Sequence, residues 1–448
     1  MTAGLVAMIT AVGFEGLAVP TVLPDTLEDL GGLALYGWAF SGFWLATLVG
    51  ITLAGSESDR RGPTRPFVAG TTTFAIGLLV AALAPNMASV VAGRVIQGLG
   101  AGAIGAVTYV LIARGYDPPA RPRMIAIISS AWVVPGLVGP ALAAVVSEQL
   151  SWRWVLGGLA PLLPLAAAAV VISMRRLPPL PTDVVSDARA AGRDVRDSLL
   201  LTAGAGLALG AATLGTPWLA VPMAGAGIAL VLVALPRLLP AGSLTASSGR
   251  GATIAGIALI SIAFLGAEAF IPLAVSVRGA GLVTGGLSLT AAAVTWAIGS
   301  WIQARWAATG ARQLPVATGF GLVLLGIGIE ALVPLTAVPI WVAPVGWAVG
   351  GLGMGIGYSM LALVTLETAP PGEEGAASAA MQIAEAIGVA AGTGVAGAVI
   401  SAMAVGPGLG PGLGAADLLL ALVAAAGIFV ARRIPDADPH RPQPTQAA

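Results

Sequence analysis

Long apolar segments recur along almost the whole chain, and they constrain its fold more than any other feature of the sequence. Short stretches rich in Gly, Pro or charged residues separate them. An apolar helix needs about 20 residues to cross a lipid bilayer. Only 9% of the residues are charged and 57% are hydrophobic, whereas soluble proteins carry about 25% charged residues. The sequence therefore predicts an all-α integral membrane protein.

The apolar segments fall into a group of six, a group of two and a second group of six. They span residues 3–24, 35–56, 67–85, 88–113, 123–147, 153–174, then 198–214 and 218–236, then 252–276, 282–303, 315–334, 339–366, 376–403 and 413–431. We expect 14 transmembrane helices, with 12 as the alternative if the middle two do not span. The predicted domains are an N-terminal six-helix bundle at 1–175, a cytoplasmic linker with two inserted helices at 176–250, a C-terminal six-helix bundle at 251–434 and a cytoplasmic tail at 435–448.

The basic residues, all of which are Arg, indicate the orientation of these helices. Arg side chains follow predicted helices 2, 4, 6, 8, 10 and 14, whereas the opposite side has only Arg153 and Arg278. Cytoplasmic loops of membrane proteins are enriched in basic residues. Both termini are therefore expected in the cytoplasm. The first segment has no basic residues before it, and we interpret it as a retained helix and not a cleaved signal peptide.

The two groups of six resemble each other in sequence. The glycine-rich segment 97–102 in helix 4 is similar to 350–355 in helix 12, and Glu15 and Glu268 each precede a Pro by a few residues. Parallel six-helix repeats with a binding site between them are one design of secondary transporters. This repetition favours a transporter with two similar bundles.

A few ionisable residues lie inside the apolar segments, where they are costly and usually functional. Glu15, Arg94, Glu268 and Glu385 are the candidates for proton coupling. The alternatives are hydrogen-bonded structural roles for the acids and, for Arg94, a side chain that extends to the headgroups. Glu330 lies near the end of its segment and is expected at the rim.

Aromatic and amide side chains inside the same helices are candidates for a substrate cavity. They are Gln97, Tyr109, Trp132, Trp296 and Gln382. The alternative for the tryptophans is the aromatic belt at the membrane interface.

The composition excludes several classes of function. There is no Cys, no Lys, and one His, His440, in the tail. A Cys-ligated or His-rich metal site, a nucleophile–His–acid set and a phosphate-binding loop with Lys are therefore impossible. We expect no enzyme activity, no cofactor, no metal and no nucleic-acid partner.

The segment 55–65 between helices 2 and 3 carries Gly55, Asp59, Arg60, Gly62 and Arg65. It resembles the loop signature of the major facilitator superfamily. The resemblance implies a charge cluster that gates the cytoplasmic face, with a simple positive-inside loop as the alternative.

Two further segments resemble motifs of the same superfamily. Residues 94–102 resemble its helix-4 motif, which implies a role of Arg94 in proton movement. In helix 5, Pro135, Gly136, Gly139 and Pro140 resemble the motif of its antiporters, although Ala143 and Ala144 stand where Gly is usual. The first helix is similar to that of the 14-helix drug:proton antiporters, with Glu15 where Asp is frequent.

These resemblances imply the major facilitator fold, two six-helix bundles with two extra helices between them. They also imply a proton-coupled exporter of amphipathic drugs in the bacterial plasma (inner) membrane. The partners would be a small-molecule substrate, protons and the lipid bilayer, with the protein as a monomer. A specific metabolite or lipid exporter, a proton-coupled uptake symporter and a membrane sensor are the alternatives.

Overall fold

The computed structural model describes residues 1–117, 120–175, 188–212, 214, 216–369, 374–404 and 408–436. This part of the chain is helical, with no strand. The helices are α1 (Thr2–Leu30), α2 (Trp38–Arg61), α3 (Thr64–Ala82), α4 (Met87–Gly115), α5 (Arg121–Ser130), α6 (Val133–Gln149), α7 (Trp152–Gly157), α8 (Leu163–Met174), α9 (Ala188–Ala212), α10 (Pro217–Leu238), α11 (Arg250–Glu268), α12 (Ile271–Val277), α13 (Leu282–Ala307), α14 (Gln313–Glu330), α15 (Val342–Glu367), α16 (Glu374–Met403) and α17 (Gly410–Ala431). The prediction of an all-helical fold is confirmed.

Every predicted apolar segment coincides with one helix or with two consecutive helices. Within the described residues, 11 helical segments are long and apolar enough to cross a membrane. The other three predicted spans correspond to α5 with α6, α7 with α8, and α9. The first two are interrupted by turns, and charged residues occupy the first turns of α9. The count of 14 spanning helices is not confirmed and stays a prediction.

Glycines bring α4 into direct backbone contact with α2 and α3. A Cβ atom at Gly98 would lie 2.1 Å from the carbonyl oxygen of Phe43 in α2. At Gly100 it would lie 2.6 Å from the carbonyl oxygen of Gly70 in α3. Small residues allow such close approach between membrane helices. The helix-4 glycines therefore act in packing.

The same arrangement recurs in the C-terminal half. A Cβ atom at Gly355 of α15 would lie 2.1 Å from the carbonyl oxygen of Trp296 in α13, and one at Gly353 would lie 2.6 Å from that of Gly319 in α14. The sequence repeat between 97–102 and 350–355 is thus a repeat of packing. We call α1–α8 the N-terminal half and α11–α17 the C-terminal half; their limits as domains remain a prediction.

The two halves meet closely at one end of the molecule. We call this the far end; it carries the α1–α2 connection, and the opposite, termini end carries the α2–α3 turn. A Cβ atom at Gly37 would lie 2.9 Å from Cα of Gly397 in α16. Next to this contact, the hydroxyls of Ser41 and Thr393 are 2.9 Å apart, and Ser41 also donates to the carbonyl oxygen of Ala390 at 3.0 Å. This far-end seam joins α2 to α16.

An aromatic cluster and a second helix pair extend the contact at the far end. The ring of Tyr36 lies 5.9 Å from Phe40 and 5.5 Å from Phe270 of the C-terminal half. On the other side, a Cβ atom at Gly286 of α13 would lie 2.9 Å from the carbonyl oxygen of Pro140 in α6. The halves are therefore closed against each other at this end.

The helices α9 and α10 pack against each other beside α2 and α16. Ser198 and Thr52 share a hydrogen bond of 2.8 Å, and Thr202 donates to the carbonyl oxygen of Leu45 at 3.1 Å. Towards α16 the contact is apolar, with Leu209 against Gly394. These two hydrogen bonds join the hairpin to the N-terminal half.

The two arginines at the far end both fasten connections between helices. Arg153 pairs with Asp29 at 2.8 Å and donates to the carbonyl oxygen of Ala84 at 3.3 Å. Arg278 donates to carbonyl oxygens within 333–338 at 2.5 to 3.5 Å. These structural roles explain why the far end, which otherwise has almost no basic residues, carries these two arginines.

Candidate transport site

The first part of the candidate site is an ion pair between α1 and α4. The guanidinium of Arg94 donates to the carboxylate of Glu15, and the two side chains are 2% and 1% exposed. The same nitrogen donates to the amide oxygen of Gln97 at 2.6 Å. Arg94 therefore does not extend to the molecular surface, and three residues singled out separately in the sequence form one cluster.

Further contacts hold the Arg94 guanidinium from the side of α2. Its Nε donates to the carbonyl oxygen of Ala39 at 2.9 Å, and its Cζ lies 4.2 Å from the ring centre of Phe43. An arginine over an aromatic face gains a cation–π attraction. The position of Arg94 is thus fixed by three helices.

Two polar atoms of this cluster lack partners. Oε2 of Glu15 and Nε2 of Gln97 are buried and form no hydrogen bond with the described residues. Buried polar atoms normally have partners, and exceptions can mark a functional role. An acceptor and a donor are thus left over beside a charge pair.

The second part of the site is a row of aromatic rings in the C-terminal half that begins at Glu268. Trp347 donates its indole N–H to Glu268 at 3.1 Å. Its ring stacks on Phe264 with 4.6 Å between centres, and Phe264 meets Trp296 edge-on at 5.8 Å. The row therefore links α11, α15 and α13.

The row continues from Trp296 to a second carboxylate. Trp296 lies 6.1 Å from the ring of Tyr358, and the Tyr358 hydroxyl donates to Glu385 at 2.7 Å. Glu268 and Glu385 are both only partly buried. Within the described residues neither acid pairs with a base, so this wall presents two carboxyl groups and four rings without a compensating positive charge.

Three further cavity candidates lie in other parts of the bundle or on α16. Tyr109 of α4 is 42% exposed and interacts electrostatically with Glu385 of the other half. Trp132 is 45% exposed, and its ring lies against Gly13 of α1. Gln382 is partly buried one turn before Glu385 on α16. Of these, Tyr109 is the one with an electrostatic interaction with an acid of the row, Glu385.

The gating segment lies at the termini end. Gly55 has open space around it, Gly62 has φ 86° and ends α2, and Asp59, Arg60 and Arg65 are exposed. The ion pair in this segment is between Arg61 and Glu57, within α2. Among the described residues, Asp59 forms no ion pair, so the structure does not assemble the expected charge cluster in this conformation.

The helix-5 motif lies where the two halves touch. Gly136 faces Ala293 of α13, where a Cβ atom would lie 3.0 Å from that side chain, and Gly139 faces Phe14 of α1. Pro140 lies inside α6, and the helix continues through it. The interruption of this segment falls earlier, at 131–132, before Pro135.

The sequence reasoning missed some residues and misplaced one. The roles of Tyr358 and Phe264 and the hydrogen bond from Trp347 to Glu268 were not predicted. Aromatic residues at this spacing on α11 and α15 are equally typical of ordinary helix packing, so the sequence gives no signal for them. The prediction of Glu330 as a rim residue is wrong, because its side chain is 3% exposed. The segment after α14, held by Arg278, continues the bundle beyond it.

Comparison with known proteins agrees with this architecture. Residues 4–393 match the model of the Major Facilitator Superfamily. A probable multidrug-efflux transporter of Mycobacterium tuberculosis is 28% identical over 385 residues, which cover 82% of this chain and 80% of that protein. Multidrug resistance protein 3 of Bacillus subtilis is 28% identical over 152 residues, which cover 34% of this chain and 30% of that protein.

Solved structures show the same fold at low sequence identity. An auto-inhibited peptide transporter of the POT family has a TM-score of 0.70 at 14% identity and covers 99% of this chain and 98% of its own. A bacterial homologue of the human lysosomal transporter Spinster has a TM-score of 0.66 at 15% identity, with 96% of each chain covered. With its family match over most of its length, this chain is a multi-pass membrane protein that belongs to the major facilitator superfamily.

Proposed function

We propose that this protein is a proton-coupled exporter of amphipathic small molecules that works by alternating access. Its termini lie in the cytoplasm, it acts as a monomer in the bacterial plasma membrane, and protons flow inward as substrate leaves. The observation that carries the proposal is the buried Glu15–Arg94 pair, which joins α1 and α4. Glu268 and Glu385 of the C-terminal half support it, since neither has a basic partner among the described residues.

Protonation of Glu15 would remove the partner of a buried cation. Breaking a buried ion pair by loss of one partner costs about 3–5 kcal/mol, because the remaining charge is uncompensated. A conformation in which Arg94 finds another partner, or water, is then favoured. A proton bound at Glu15 thus shifts the equilibrium between conformations, as any ligand with differential affinity does.

The C-terminal aromatic row supports an amphipathic substrate. Its rings offer an apolar surface with faces that attract cations, and Glu268 and Glu385 stand at its two ends. A planar or cationic organic molecule satisfies both features. The names of the related multidrug-efflux proteins favour the same class.

The direction of transport rests on the helix-5 motif and on those names. Gly136 and Pro140 lie at the contact with α13, which supports a role of this segment in the movement of one half past the other. An exporter needs this seam to open towards the outside only after substrate is bound.

Transport in proteoliposomes tests the proposal. Purified protein is reconstituted with a pH dye inside, a pH gradient is imposed, and a fluorescent lipophilic cation is added. We expect uphill movement of the cation with counter-flow of protons. Uphill movement should be lost in Glu15→Gln. The control for that variant is Glu28→Gln, which changes an exposed acid at the far end.

Two outcomes would replace the proposal. Movement of the cation in the same direction as protons would identify a symporter. No movement of this probe, with protein that binds a metabolite or lipid in a screen, would identify a specific transporter of that compound.

A further inference from the structure

Glu330 is the last residue of α14, and its carboxyl group lies inside the C-terminal half. Its side chain is 3% exposed, and both of its oxygens lack a hydrogen-bond partner in the described part of the chain. An isolated carboxylate in an apolar environment is far more costly than a neutral carboxylic acid. Burial therefore favours the neutral, protonated form of this group or its neutralisation by a bound ion.

Asp417 lies on α17, which packs antiparallel to α14 with Gly427 against the ring of Phe320, so Asp417 stands at the level of Glu330 and interacts with it electrostatically. It forms no ion pair with the described residues. Other charged groups near α14 are engaged or distant. Arg278 donates to carbonyl oxygens within 333–338 and Glu268 accepts from Trp347, whereas Arg250, Glu367 and Arg432 lie at the termini end. Asp417 is thus the acidic neighbour of Glu330.

The pair is separate from the transport site. A Cβ atom at Gly346 of α15 would lie 3.1 Å from Oε1 of Glu330. The next residue, Trp347, leaves α15 in a direction about 100° away, because a helix has 3.6 residues per turn, and it donates to Glu268. Glu330 and Glu268 therefore contact different faces of α15.

We propose that Glu330 and Asp417 form a proton-binding site inside the C-terminal half, outside the transport site. A proton suits the site better than a metal ion. No group of three or more acidic, His or Cys side chains occurs among the described residues, whereas hard metal ions take six or more oxygen ligands. A protonated carboxyl gains an O–H donor that a facing carboxylate can accept.

The bound proton has a structural consequence for the packing of α14 on α17. Loss of the proton would leave two like charges beside each other in the apolar bundle, and the helices would have to separate or admit water. The packing of these helices at the far end thus depends on the proton concentration that reaches them.

Infrared spectroscopy of the purified protein near pH 7 tests the site directly, because a protonated carboxyl has a carbonyl band distinct from that of a carboxylate. We expect Glu330→Gln to remove one protonated-carboxyl band and Glu28→Gln to leave all bands of this kind unchanged. Asp417→Asn should shift the band, since the neighbour of the proton changes. Retention of every protonated-carboxyl band in Glu330→Gln would overturn the proposal.

Thermal unfolding provides a second readout that does not depend on transport. Deprotonation would leave a buried carboxylate without a partner, so the stability of the wild type should fall more steeply with rising pH than that of Glu330→Gln. Equal pH dependence of the two proteins would contradict the proposal. So would stabilisation by Na⁺ of the wild type alone, which would identify a metal-ion site.

Discussion

Substitution of Gly37 by Ala tests how the two halves close at the far end. A Cβ atom at Gly37 would lie 2.7 Å from the carbonyl oxygen of Thr393 and 2.9 Å from Cα of Gly397. Both are backbone atoms, which cannot rotate away. Overpacking costs about 1–3 kcal/mol. Because the clash exists only while the halves are together, this cost falls on the closed state and favours the open one by about 5–150-fold.

The absence of cysteine from the chain provides a clean assay. The side chain of Thr393 is fully buried at the far-end seam, so a maleimide should modify Thr393→Cys only when the seam opens. We expect labelling of the purified protein to be about 5–150-fold faster in the Gly37→Ala background. Gly16→Ala is the control, since a Cβ atom there would have nothing within 4 Å.

The result that would refute this reasoning is equal labelling in both backgrounds. Each variant must first elute as a single folded species, which separates opening from misfolding. Gly397→Ala places a methyl group on the other side of the same contact, where a Cβ atom would lie 2.7 Å from Cα of Gly37. It should therefore accelerate labelling as Gly37→Ala does.

Three further predictions follow from the packing and the charges. Thr52→Cys with Ser198→Cys should form a disulfide without loss of transport, because the hydroxyls are 2.8 Å apart and the α9–α10 hairpin moves with α2; inhibition by the cross-link would show that the two helices separate. Gly98→Ala should lower the free energy of unfolding by about 1–3 kcal/mol and the unfolding temperature with it. Gly105→Ala, which has open space around it in the same helix, should be neutral or stabilising. Equal effects of the two substitutions would contradict the packing. Glu268→Gln should weaken transport of a cationic probe roughly tenfold or more, from a lost charge-assisted contact, and spare a neutral probe; equal effects on both probes would argue against a charge role.

The sequence was sufficient to predict the helical fold and most members of the site. Glu15, Arg94 and Gln97 stand out because charged and amide groups are rare inside apolar segments. Their meeting could not be predicted, since it requires α1 to approach α4 at one height in the bundle. The position of α4 in the bundle is set in part by glycine contacts such as that of Gly98 with Phe43 of α2, which sequence spacing does not specify.

Other features were beyond sequence reasoning for identifiable reasons. Glu330 lies near the end of its apolar segment, which is typical of a rim position, yet the connection fastened by Arg278 extends the bundle past it. Asp417 lies near the start of its helix, where an acidic residue is ordinary, so its sequence position does not indicate that it is close to Glu330. The turn at 131–132 contains no Gly or Pro, so no local signal marks it.

The measurement that tests the central claim most directly compares uphill transport with exchange in the Glu15→Gln variant. The buried pair with Arg94 is proposed to couple the proton to conformational change, and Gln retains the shape of Glu without its charge. We predict that the variant still exchanges labelled for unlabelled substrate across proteoliposomes but no longer concentrates it when a pH gradient is imposed. Uphill transport at the wild-type rate in this variant would contradict the account.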